Sequence, residues 1–152
     1  MEFSDQERHL LREIQRDASL SLAGLAGRCG MAQSTVWRKL QEFEASGILR
    51  ARVALLDPAK VGAKLCVLAS IRLRDHSEAA VAGFARMVGQ HPEILECLSV
   101  SGTSDYVLKV RVADVEAYET FMSHTLLRNP YVQGVVSSFV LKEIKATTAL
   151  PV

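Results

Sequence analysis

What this 152-residue chain lacks narrows its function first. It has no apolar run of about 18 residues, so no membrane-spanning helix is expected. Nor does it open on a basic-then-apolar leader, and the expectation is a soluble, cytoplasmic protein with no membrane partner. Cysteines are few: Cys29, Cys66 and Cys97 are an odd number, far apart, with no C-x-x-C pair. Each lies in an apolar segment, where a thiol behaves as a small hydrophobe, so three buried structural cysteines in a reducing compartment are expected. His9, His76, His91 and His124 show no metal-ligand spacing, and no glycine-rich phosphate loop is present. No metal and no cofactor is expected. The net charge of +1 is not the global signature of a nucleic-acid binder.

What is present is 49% hydrophobic and 23% charged, enough apolar surface for one domain or two small ones. The most informative stretch runs from Ser21 to Leu49. Leu22, Leu25, Ala26 and Cys29 recur with helical spacing, and Gly30 is placed to end that helix. A second period follows through Val36, Leu40 and Phe43 until Gly47. Upstream, Asp5 to Arg16 reads as a helix capped by Ser4 or Asp5, with Leu10, Leu11 and Ile14 as its buried stripe. Three helices with a tight break before the third make a helix-turn-helix. Gln33, Ser34 and Thr35 would then face base edges, with Arg38, Lys39 and Arg50 on phosphate or guanine. Trp37 is open to two readings: stacking on nucleic acid, or packing against a neighbouring helix. Locally the charge does favour DNA, with Arg28, Arg38, Lys39, Arg50 and Arg52 set against Glu42 and Glu44. Arg52 to Leu56 suits a short β wing.

Asp57 to Lys64 (DPAKVGAK) reads as a linker, dividing a DNA-binding domain at 1–56 from a second domain at 65–152. The second domain alternates its patterns. A strand is expected at Leu65–Leu73, and a helix at 77–88 with Val81, Phe84, Ala85 and Val88 inward. Strands follow at 94–101 and 105–112 around the turn Gly102-Thr103-Ser104. Next comes a helix capped by Asp114 and reaching Arg128, with Val115, Tyr118, Phe121, Met122 and Leu126 inward, then a strand at 134–145. That order is β-α-β-β-α-β, a ferredoxin-like α+β fold. Its second sheet face would keep Val100, Val107 and Phe139, so a second subunit across a two-fold axis is expected to cover it.

These segments resemble the Lrp/AsnC (leucine-responsive, feast/famine) family of transcriptional regulators over almost the whole chain. The resemblance rests on DQERHLLREIQRDASLSLAGLA, STVWRKLQEFEASGIL, ALLDPAKVG, SVSGTSDYVLKV and SSFVLKEIKATTALP in that order. It implies a winged helix-turn-helix followed by an effector-binding and oligomerisation (RAM) domain. It also implies binding to double-stranded DNA, dimers that assemble further to tetramers or octamers, and an amino-acid effector held where RAM domains meet. The SSFVLKEIKATTALP ending most resembles members responsive to leucine, methionine or branched-chain metabolism. The family's glycine-acid-aromatic-aspartate turn falls on Gly102, Thr103, Ser104 and Asp105, preceded by Val100 and Ser101 and followed by Tyr106. Its last-strand threonine falls on Ser137, beside Ser138. Two departures stand out: Thr103 and Ser104 replace the acid and the aromatic, and Ala32 replaces the capping serine, leaving Gln33 or Ser34 to serve the helix amides.

The turn also has a chemical reading of its own. Glycine lets backbone approach a ligand closely, neighbouring amides can hold a carboxylate, and Asp105 can meet an α-ammonium. The same residues equally suit a plain hairpin turn. An enzyme pairing Asp105 with His124, or Cys97 with His91, lacks a third orienting group, and no enzymatic activity is expected. The remaining alternative is a ligand-binding or scaffold protein without specific DNA binding.

Overall fold

The computed structural model describes residues 2–152 and divides into two compact units. The first comprises residues up to Leu55 together with Ile144–Val152; the second is Leu56–Glu143.

The first unit holds α1 (Asp5–Arg16), α2 (Leu22–Cys29) and α3 (Gln33–Ala45). Ser4 and Glu7 close a reciprocal capping box on α1, satisfying amides that would otherwise point out of the first turn unpaired. Ser21 caps α2, and Gly30 ends it in the left-handed conformation (φ 62°) that glycine adopts without a Cβ clash. Leu10, Leu11, Ile14, Leu25, Ala26, Cys29, Val36, Leu40 and Phe43 form one core. Fully burying each larger side chain contributes on the order of 1.5–3 kcal/mol. Glu13 is buried at 7% exposure beside this core, where Arg16 (3.0 Å) and Arg28 (3.1 Å) neutralise it and tie α1 to α2. Past Gly47, Ile48 and Leu49 fold back on the core, and Leu49 donates its amide to the Phe43 carbonyl. The segment expected as a β wing at 52–56 carries no ladder, because the described chain supplies no neighbouring strand to pair with it.

Ile144–Val152 also clusters with this helical unit, so the second domain expected at 65–152 ends nearer Glu143 in space. Gln15 grips Leu150 through both backbone groups (2.6 and 3.3 Å), Arg12 donates to the Val152 oxygen (3.1 Å), and Val152 packs on the helical core.

The second unit holds β1 (Leu65–Leu73), α4 (Glu78–Gln90), β2 (Ile94–Ser99), β3 (Tyr106–Val112), α5 (Val115–Phe121) and β4 (Val132–Phe139). The sheet is antiparallel in the order β2-β3-β1-β4, as the ferredoxin-like pattern requires. Alternation along β1 turns Val67, Ala69, Ile71 and Leu73 toward the helices, where they meet Leu108, Val110, Phe84, Tyr118, Phe121 and Leu126. Gly83 admits Tyr131 so closely that a Cβ there would lie 2.1 Å from its ring.

Several element details differ from expectation. The inward stripe of α4 is Ala80, Phe84, Met87 and Val88; Val81 and Ala85 are exposed. Val115 faces solvent, at 60% exposure. After α5 the chain widens into a π turn (Met122–Leu126), which rotates Leu126 fully into the core instead of continuing as α-helix to Arg128. β4 begins earlier and stops at Phe139, since after Val140 bonds the Cys66 carbonyl the chain leaves the sheet. Register places Phe139 opposite Val67, on the helix side against the Tyr118 ring, not on the open face. That open face carries Leu68, Ser70, Leu98, Val107, Val136 and Ser138. Cys29 and Cys66 are buried as expected, whereas Cys97 is exposed because it lies on the edge strand β2.

Candidate nucleic-acid interface and effector turn

Helix α3 buries Val36, Leu40 and Phe43 against the helical core, which leaves the opposite side to solvent. Ser34, Trp37, Arg38 and Gln41 are all exposed there, and their spacing puts them on one face. Gln33, at the helix start, is exposed as well. Trp37 is 54% exposed, so the reading that packs it against a neighbouring helix is corrected. Gln41 was not among the residues singled out from the sequence; continuing the 34–37–38 spacing by one turn finds it. Ala32 offers no side-chain cap, and neither Gln33 nor Ser34 replaces it, so the first amides of α3 face outward unserved by a side chain. A helix end in that condition suits a phosphate.

The basic residues divide sharply. Lys39 is drawn back onto α1, its ammonium 2.8 Å from Glu7 and 3.0 Å from Glu42, with only 22% of its side chain exposed. Lys39, aided by the Ser4 amide and hydroxyl, holds the Glu7 carboxyl down at about 2. Thr35 is half-buried. Arg38 pairs with Glu42 at the surface, Arg52 with Glu44 and Arg28 with Glu13. Arg50 alone of these cations has no ionic partner among the described residues. Exposed pairs such as Arg38–Glu42 contribute about 0–1 kcal/mol, so exchanging Glu42 for a phosphate or a base edge costs little.

At the other candidate site, Gly102 adopts φ 126°, open to glycine and strained for other residues. Asp105 bonds outward from the turn: Oδ2 accepts from the Leu73 amide (2.7 Å) and Oδ1 meets His76 Nε2 (2.8 Å). His76 first, then the Leu73 amide, hold its carboxyl below the usual aspartate range. Its backbone is pinned too, donating to the Ile71 carbonyl and accepting from Val100. Arg72 reaches the Thr103 carbonyl through Nη2 (2.8 Å) and Nε (3.3 Å). Arg72 and His76 are thus the neighbours that the sequence reading missed; only the β1–β3 register brings them to the turn.

Val100, Ser101, Thr103, Ser104 and Asp105 therefore share one loop. Tyr106 turns into the core against Phe84, with ring centroids 4.9 Å apart. Ser137 also points to the helix side, where its Oγ lies 2.6 Å from the Tyr118 hydroxyl, while Ser138 faces the open side of the sheet. The two serines are split by strand alternation and neither joins the loop in this protomer. His124 bonds the Thr120 carbonyl, so it is not the partner of Asp105. The Cys97 thiol is pushed up by partial burial of its sulfur, opposite to an activated nucleophile. Among the described residues no group of three or more His, Cys, Asp or Glu is placed to hold a metal ion. Among the described residues no helix is long and apolar enough to cross a membrane.

Comparison with known proteins places both units. Residues 3–50 match a winged helix-turn-helix DNA-binding model, and residues 66–150 match the Lrp/AsnC ligand binding domain. The DNA-binding transcriptional activator DecR of Escherichia coli is 36% identical, covering 96% of each chain. The leucine-responsive regulatory protein of the same organism is 33% identical over 95% of this chain and 88% of its own. A transcriptional regulator of Neisseria meningitidis, crystallised in complex with L-methionine, superposes with a TM-score of 0.95 at 35% identity, covering 99% of this chain and 97% of that one. With both domain models matched in order and relatives aligned from end to end, the chain belongs to the Lrp/AsnC family of transcriptional regulators.

Proposed function

We propose that the protein reads a specific duplex sequence with the α3 face Ser34–Trp37–Arg38–Gln41 and adjusts that binding in response to an amino acid. The observation that carries the reading is this face itself: two turns of helix expose hydrogen-bonding, aromatic and cationic groups while the other side is locked into a core. Arg50 supplies a further phosphate contact; Gln33 and Thr35 flank the helix entry. Lys39 fixes α3 to α1 and contributes mainly through that anchoring.

The effector region is the Gly102 turn. A relative solved with L-methionine and another named for leucine support an amino acid with an apolar side chain. The open sheet face, with Leu68, Leu98 and Val136 exposed at 40–68%, supports a dimer formed through the sheet and further assembly into tetramers or octamers. Ser137 and Ser138 enter the effector site only through such assembly. An effector that prefers one assembly shifts its population, and so alters how many α3 heads meet their half-sites together. The chain then acts as a cytoplasmic regulator of amino-acid metabolism or transport genes, needs no cofactor and performs no reaction.

Selection from a random-sequence duplex library tests the DNA reading. The expected result is one enriched two-fold motif, lost in Arg38→Ala. No enrichment would favour a ligand-binding or scaffold protein instead. A thermal-shift panel against the twenty amino acids tests the effector reading: a ligand at about 100 times its dissociation constant adds roughly 2.7 kcal/mol to the folded state. A flat panel would remove the amino-acid response.

A further inference from the structure

We infer that Arg72 is the residue that recognises the effector's carboxylate, and that Asp105 is a positioning residue and not the partner of its ammonium. This rests on the effector reading above.

Consider first what Asp105 has left to offer. Paired residues in β1 and β3 end at Ile71 and Tyr106, so the Leu73 amide lies beyond the ladder; Asp105 Oδ2 takes it at 2.7 Å. Oδ1 is engaged by His76 at 2.8 Å. A carboxylate with one oxygen on a backbone amide and the other on an imidazole is a clamp, and only 24% of its side chain is exposed. Freeing it for an ammonium would leave the Leu73 amide without an acceptor, which costs more than an ordinary hydrogen bond returns.

Arg72 is in the opposite condition. The β1–β4 register shifts between Arg72 and Leu73, and irregularities of this kind re-aim a side chain. Arg72 stands opposite Gly134, which has no side chain to cover it. Its guanidinium spends Nε and Nη2 on the Thr103 carbonyl, and Nη1 has no partner among the described residues. The amides of Gly102, Thr103 and Ser104 have none either. Asp75, the next carboxylate along, is taken up by Ser77. One planar cation beside free backbone amides, with the nearby carboxylates already engaged, is chemistry for an anion, and a guanidinium fork matches a carboxylate.

The test takes the amino acid giving the largest shift in the panel, together with its amide, which lacks the carboxylate, and its 2-hydroxy acid, which lacks the ammonium. Each is titrated calorimetrically into the full chain. The wild type should bind the hydroxy acid within several-fold of the amino acid and the amide at least ten-fold more weakly. Arg72→Gln should lose at least ten-fold for both acids and no longer prefer acid to amide, while Arg72→Lys recovers part of the preference. Asp105→Asn should weaken amino acid and hydroxy acid alike, since it loosens the turn for both. Hydrogen-exchange protection of β1 and β3 without effector confirms that the sheet unit of each variant is folded. Equal binding of acid and amide by the wild type, or unchanged binding by Arg72→Gln, overturns the assignment of Arg72. A selective loss of the amino acid over its hydroxy acid in Asp105→Asn overturns that of Asp105. A wild type that binds no amino acid overturns the effector reading itself, a result distinct from either.

Discussion

On α3, the side chains of the reading face lie within two turns of one helix, and burial of Val36, Leu40 and Phe43 is sufficient to aim all of them outward. At the Gly102 turn, the groups that meet come from chain segments 29 to 32 residues apart, joined by strand register and by hydrogen bonds to Asp105 and Thr103. A helix face depends on a local period, which a few neighbouring residues specify. A sheet-end site depends on pairing between distant strands, and a register slip of one residue would disperse it. The reading surface should therefore tolerate damage to the sheet, whereas the turn should not.

The largest effect expected from this contrast is in Phe84→Ala. Removing that fully buried ring from the sheet core should cost about 3–5 kcal/mol. Hydrogen exchange should show the loss across β1 and β3 while α1–α3, with their separate core, stay protected. Equal loss in both units would show that they unfold as one.

Within the reading helix, two adjacent cations should behave differently. Arg38→Ala should cost about 1–3 kcal/mol of operator binding, with relaxed sequence preference. Lys39→Ala should act chiefly on stability near neutral pH, with a deficit that shrinks in acid. Because the Glu7 carboxyl is held at about 2 in the fold against 4.5 ordinarily, it contributes stability above pH 4.5 that is lost as pH falls toward 2. Denaturation followed from pH 5 to pH 2 should show a flatter loss in Lys39→Ala than in wild type. An unchanged slope would mean that the Glu7–Lys39 pair does not act in solution.

A smaller gain is expected from Ala32→Ser. The α3 N-cap has extended backbone and no side-chain bond, so a serine there should stabilise the head by about 1 kcal/mol. If the bare amides serve a phosphate, the same change should leave operator binding no stronger despite the added stability.

The sequence disclosed these regions unevenly, for the same physical reason. Helical periods, with caps read at Ser4 or Asp5 and at Asp114, located the α-helices described, because a cap and a stripe are local signals. Strand order followed from the alternation of patterns. Of the exposed face of α3, Ser34 and Arg38 were legible, Gln41 was missed and Trp37 left ambiguous, since exposure depends on what packs nearby. The fate of Lys39 was hidden because Glu7 lies on another helix. Around the turn, Asp105 was identified but not its partners, and Ser137 and Ser138 were grouped although adjacent strand residues face apart. The π turn after Phe121 left no periodic trace, since Met122 and Leu126 fit an uninterrupted α-helix equally well.

Gln15 and Leu150 are 135 residues apart, yet they share two hydrogen bonds in the helical head. During synthesis the three helices emerge first and can form their core, but the segment that clamps α1 follows only after the whole sheet unit has been made. The head thus receives its final contacts last. A nascent chain halted within the sheet would carry a reading helix on an unclamped α1, so completion of the DNA-reading head is tied to completion of the sensor that is to govern it.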